Sequence, residues 1–153
     1  MQNTQKIKAH LLEQCKLALE KRYQAVNKIL ADIKVSLESE TKSSAGDKHE
    51  TGRAMLQLER EKAGNQLAAI NREKQILSKI KSDEVSQNIS LGSLVVTSQA
   101  NYFLAISCGE IKYENQAYYA ISAAAPIARL LLGKKAGDQV LFQKNTITIQ
   151  SVL

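Results

Sequence analysis

Tryptophan is absent from this 153-residue chain, and only seven residues are aromatic, five Tyr and two Phe. That argues against a large aromatic-lined ligand pocket. There are two histidines and two cysteines, and no Ser-His-Asp or Cys-His nucleophile set can be assembled from the sequence. Cys15 and Cys108 lie far apart and lack metal-ligand spacing, so they read as reduced, packed thiols of a cytosolic protein. No glycine-rich phosphate motif is present, nor any internal repeat or low-complexity tract. The first residues, Met-Gln-Asn-Thr-Gln-Lys-Ile-Lys, lack the apolar run of a signal peptide. The most apolar stretch, Ile121 to Leu132, is interrupted by Ser122, Pro126 and Arg129 and is too short to span a bilayer. These absences leave a folded chain expected in the cytoplasm, without a membrane partner.

What is present is charge, unevenly placed. Residues 1–82 hold 16 Lys and Arg against 10 Asp and Glu, whereas residues 83–153 hold 5 of each sign. The whole net charge of +6 therefore belongs to the first half. Such an asymmetry fits a half that faces something anionic, nucleic acid or an acidic channel, and equally fits a solvated helical face.

From Ile7 to about Leu37 there is no Gly or Pro. Leu12, Leu19, Tyr23, Val26, Leu30, Ile33 and Leu37 recur at steps of seven, four and three, the seam of a coiled coil. Lys16 interrupts that seam. A second run, Thr51 to about Lys81, carries Leu56, Ala63, Leu67, Ile70 and Leu77 in similar register. Two runs of roughly 30 residues, each roughly 45 Å of helix, predict an antiparallel coiled-coil hairpin over residues 1–82. It is too thin for a globular core and is expected to protrude as an arm. The turn falls in Ser43 to Thr51, where Gly46 and two serines make the chain pliable. His10 is expected on the helix surface and His49 exposed at the tip.

After a polar linker at residues 82–88 the period becomes strand-like. Leu94–Thr97, Tyr102–Ile106 and Ala117–Ile121 read as strands, and Gln139–Gln143 with Thr146–Val152 as a closing hairpin around Lys144-Asn145. Pro126 opens a short helix and Gly133 ends it. The fold class is α+β: a helical hairpin, then a small antiparallel sheet with one short helix over residues 88–153.

At the tip, Asp47 and Glu50 stand three residues apart, and two readings fit them. As a capping box, Asp47 is the N-cap and Glu50 reaches back from N3, both favoured by the helix dipole. As ligands, their oxygens help hold a hard cation such as Mg²⁺, which is commonly bound by one or two carboxylates with waters and phosphate oxygens.

A hairpin carrying Gly46-Asp47-x-x-Glu50, followed by a sheet domain with Ala125-Pro126-Ile127-Ala128-Arg129-Leu130-Leu131-Leu132-Gly133-Lys134-Lys135-Ala136-Gly137-Asp138, resembles the bacterial Gre transcript-cleavage factors (GreA and GreB). The resemblance spans nearly the whole chain and is most specific from Pro126 to Asp138. It implies an arm that enters the secondary channel of RNA polymerase. Asp47 and Glu50 would then help retain a shared Mg²⁺, so that the polymerase hydrolyses backtracked nascent RNA. It also implies a C-terminal domain similar to FK506-binding proteins that docks at the channel rim. On that reading Pro126, Ile127 and Arg129 dock, and Lys42, Lys48, Arg53 and Arg60 meet extruded RNA. The chain is then a monomeric helper of the polymerase rather than an enzyme. The chain departs from the family's pattern in two places: Thr51 where Asn usually follows the tip glutamate, and Ala124-Ala125 before Pro126. The alternatives are a channel regulator that does not cleave, a prolyl isomerase built on the C-terminal domain, and a plain coiled-coil nucleic-acid binder. An isomerase would need the aromatic-lined pocket this composition disfavours.

Overall fold

The structure is a computed structural model that describes residues 2–42 and 46–153. Two long helices come first, α1 (Gln2–Lys42) and α2 (Gly46–Ser78). They are followed by β1 (Leu94–Thr97), β2 (Asn101–Ala105), β3 (Gly109–Tyr113), β4 (Gln116–Ser122), the short helix α3 (Pro126–Leu131), β5 (Gln139–Phe142) and β6 (Asn145–Val152). The α+β class holds, and both helices run further toward the connection than the apolar pattern indicates. Among the described residues, no helix is long and apolar enough to cross a membrane.

Contacts divide the chain into two compact units, one of Met1–Ala18 with Gln75–Leu153, the other of Leu19–Lys74. The division therefore cuts across both helices.

In Leu19–Lys74 the seam follows the seven-residue spacing. Leu19, Val26 and Ile33 are buried on α1, and Ala63 and Ile70 on α2, while Tyr23, Leu30, Leu37, Leu56 and Leu67 are half-buried. Polar rungs flank it. Arg22 bonds Glu73 at 2.8 Å, and the Lys74 ammonium lies 3.5 Å from the centroid of the Tyr23 ring, a cation–π contact.

In the other unit six strands lie in the order β3-β4-β2-β1-β6-β5. The sheet is not purely antiparallel, because β2 and β4 run parallel, with Phe103 beside Ala120 and Leu104 beside Ile121. The cause is β3. Ile106, Ser107 and Cys108 carry the chain past one vacant strand position to β3, and the β3–β4 hairpin then folds back into the gap. Three extended residues reach about 10 Å, two strand spacings. The closing hairpin turns at Gln143-Lys144, one residue earlier than the sequence indicates. Both residues have positive φ (50° and 68°), and Phe142 pairs with Asn145, the geometry of a two-residue primed turn.

One face of the sheet packs Ile89, Val95, Leu104, Val140, Ile147 and Ile149 with Ile127 and Leu131 of α3. Leu94 and Phe103, adjacent to Val95 and Leu104, alternate to the other face and are equally enclosed. The first turns of α1 belong to this unit. His10 is half-buried and its ring packs at a tilt against Tyr113, with centroids 4.9 Å apart, so it is less open to solvent than expected. Lys8 is only 2% exposed, and its Nζ donates to the carbonyl oxygens of Glu84 (2.7 Å) and Leu153 (3.3 Å). Lys8, Leu12, Cys15 and Leu19 form one stripe with steps of four, three and four, so Cys15 takes the place expected of residue 16. Lys16 is exposed and leaves the seam intact.

Candidate functional site

The acidic pair lies where α2 begins. That helix includes Gly46 and so both Asp47 and Glu50. Positions 47 and 50, three apart on an α-helix, share one side of it, near the positive end of its dipole. The Glu50 side chain is exposed. The side chains of Lys42, Asp47, Lys48 and His49 lie outside those described.

Beside this pair the Glu40 side chain approaches α2: a Cβ placed on Gly52 would stand 3.2 Å from Oε1 of Glu40. That oxygen ends a flexible side chain, so a small residue at 52 would be met by a slight shift of the carboxylate. Among the described residues, no group of three or more His, Cys, Asp or Glu could hold a metal ion by itself.

Two of the four predicted RNA-contacting residues come together. Arg53 and Arg60 are exposed, seven apart on α2, and line one groove with Lys34, Glu38, Leu30, Leu37 and Gln57. The groove measures about 600 Å³. Three of its side chains are cationic and one is anionic, so it favours an anion. Lys34 was missed by sequence reasoning, although it stands on the helix opposite and carries the same charge.

The three docking candidates separate. Pro126 is exposed at the first position of α3, after Ala125 in extended conformation. Arg129 is exposed in the last turn. Ile127 is 8% exposed and belongs to the sheet core, so its side chain is not offered to a partner. This corrects its assignment: the residue after the helix-opening Pro turns inward, and Ile127 joins the buried cluster that includes Val95 and Ile147. The apolar surface beside Arg129 is instead supplied by Leu130 and Leu132, each 37% exposed. The run Leu130-Leu131-Leu132 held the signal, since three consecutive leucines cannot all face one side of a helix.

No protein-family profile matches the chain, and no curated protein matches it. Among solved structures it is similar to that of the transcription factor Gfh1. The two share 16% identity over 92% of each chain, with a TM-score of 0.34, a likeness too loose to carry an argument about function.

Proposed function

We propose that this chain binds RNA polymerase, places its helical hairpin in the secondary channel, and stimulates cleavage of backtracked RNA through Asp47 and Glu50. The observation that carries the reading is the place of Asp47 and Glu50, both within α2 and three residues apart. Positions so spaced share one side of a helix, and the seam of the hairpin uses neither. The resemblance of Pro126 to Asp138 to the Gre segment supports the same reading.

The donor set fits Mg²⁺ as one or two carboxylates fit it in phosphoryl-transfer sites, where waters and substrate phosphates complete the shell. When bound, such an ion polarises a phosphoryl oxygen and activates a water. The chain's own part is to present the carboxylates; the remaining ligands and the phosphodiester belong to the partner. Arg53, Arg60 and Lys34 supply positive charge along the same hairpin for the RNA backbone.

The test is RNA shortening in purified backtracked elongation complexes, with the wild type and with the double variant Asp47→Asn, Glu50→Gln. Amides keep the shape and the hydrogen bonds but are poor ligands for a hard cation. The variant should melt within a few degrees of the wild type, bind polymerase, and lose most of the stimulation. Full stimulation by the folded variant would overturn the role of the pair. Binding by the wild type without any RNA shortening would convert the reading to a regulator that does not cleave.

A further inference from the structure

The chain has two cysteines, 93 residues apart, and the fold brings them together. Cys15 Sγ and Cys108 Sγ are 2.9 Å apart, a thiol–thiol contact between free cysteines. A disulfide bond is about 2.0 Å long, so less than 1 Å of approach separates contact from bond. Cys15 is completely buried on α1, and Cys108 is half-exposed in the connection between β2 and β3. Two features let Cys108 adjust. It is followed by Gly109 at φ 77°, with open space where a Cβ would be. Its neighbour Ser107 is exposed.

We infer that Cys15 and Cys108 form a reversible disulfide by exchange with a low-molecular-weight disulfide such as oxidised glutathione, clipping α1 to the β2–β3 connection. Only Cys108 can be reached from solvent, so the order of events is fixed. The Cys108 thiolate attacks one sulfur of the reagent, breaking its S–S bond and releasing one thiol, which carries away the proton. Cys15 Sγ then attacks the Cys108 sulfur, forms the Cys15–Cys108 bond and expels the second thiol. In total the protein loses two protons and two electrons, and one disulfide is reduced to two thiols. Before the first step Cys15 keeps its proton, because its hydrogen bond to Cys108 and its burial both push its thiol well above the usual range. Capping Cys108 removes the first of these causes, and Cys15 becomes the resolving thiol.

A bond closing a 93-residue loop restricts the unfolded chain more than the folded one. The purified full chain, fully reduced, is incubated with oxidised glutathione and followed by intact mass, free-thiol titration and thermal melting. The wild type should lose two hydrogens, retain no glutathione, stay monomeric on a non-reducing gel, and gain about 10 °C in Tm. Dithiothreitol should reverse all of this. Cys15→Ser should stop at a stable glutathione adduct on Cys108, and folded Cys108→Ser should remain unmodified. Three results would each overturn the inference: a glutathione adduct persisting on the wild type, cross-linked dimers, or an unreacted wild type at an oxidant level that modifies Cys15→Ser.

Discussion

Leu19–Lys74 and the sheet-bearing remainder bury their apolar side chains in different ways. The hairpin unit encloses one stripe, with Leu19, Val26 and Ile33 meeting a helix that contributes Ala63 and Ile70. Outside the stripe even large apolar residues stay in water: Val35, Met55 and Leu58 are each 60% exposed or more. The sheet is covered on both faces and encloses Val95, Phe103, Leu104, Leu131, Ile147 and Ile149 completely or nearly so. The contrast teaches where to look for function. In the sheet a side chain's position is largely explained by packing, whereas outside the seam of the hairpin it is not.

The sharpest way to break the contrast is a charge in each kind of place. Ile127→Asp buries a carboxylate among aliphatics and should cost more than about 4 kcal/mol, enough to unfold the sheet unit. Arg129→Glu, two residues on and exposed, should stay within about 0.5 kcal/mol and is the variant suited to a docking assay. Urea unfolding followed by circular dichroism measures both, and a wild-type midpoint for Ile127→Asp would refute the core assignment.

An intermediate effect is expected at Lys8, a cation held inside the better-packed unit. Lys8→Met leaves the carbonyls of Glu84 and Leu153 without this donor and should cost about 1–3 kcal/mol. It should also change the pH profile. Burial holds the Lys8 ammonium below its ordinary 10.5, while the charges of Glu84 and Asp83 partly restore it. Between the depressed folded value and 10.5 the unfolded chain carries a proton that the folded chain has shed, so wild-type stability gains from this residue as pH rises. Tyr102 and Tyr118, raised chiefly by burial, act in the opposite sense from about pH 10 upward. Subtracting the Lys8→Met profile from that of the wild type isolates the lysine's rise; a flat difference would count against its burial.

The smallest effect on stability belongs to the hairpin groove. Arg53→Gln with Arg60→Gln should shift stability by no more than about 0.5 kcal/mol at each site. If these arginines contact RNA phosphates, the pair should flatten the log–log salt dependence of binding to backtracked complexes by about one to two. An unchanged slope would leave the groove as a solvated face.

The hairpin was legible because its rule is local: a seven-residue spacing can be counted along one segment, and Leu12, Leu19, Val26 and Ile33 are all buried. So was the start of α3 at Pro126. What stayed hidden depends on residues far apart in the chain. The strand β3, Gly-Glu-Ile-Lys-Tyr, is an edge strand with no buried residue, and its alternation, with Ile111 and Tyr113 beside Glu110 and Lys112, is too short to stand out. The parallel β2–β4 pair follows from that missed element. Lys8 occupies a seam position but carries a charge, and only the carbonyls supplied by residues 84 and 153 make its burial tolerable. Nothing in the spacing of Cys15 and Cys108 announces their contact. At the candidate site the residues Asp47 and Glu50 could be named from sequence, but their place within the helix could not. Where a helix begins beside a pliable Ser-Ser-Ala-Gly segment is decided by a residue or two.

The pairing of β1 with both β2 and β6 has a consequence for the order in which this molecule can be made. A ribosome delivers residues 19–74 early, and everything their seam requires is present as soon as they emerge. The sheet has no such independence, because the inner strand β1 waits for Asn145–Val152, and Lys8 waits for the carbonyl of Leu153. Nascent chains arrested before Asn145 should therefore carry a hairpin that resists protease in Leu19–Lys74 while the segment after residue 82 is cut, and addition of residues 145–153 should extend the protection to that segment. Synthesis thus finishes the helical hairpin first and withholds the completed sheet until β6 has been made.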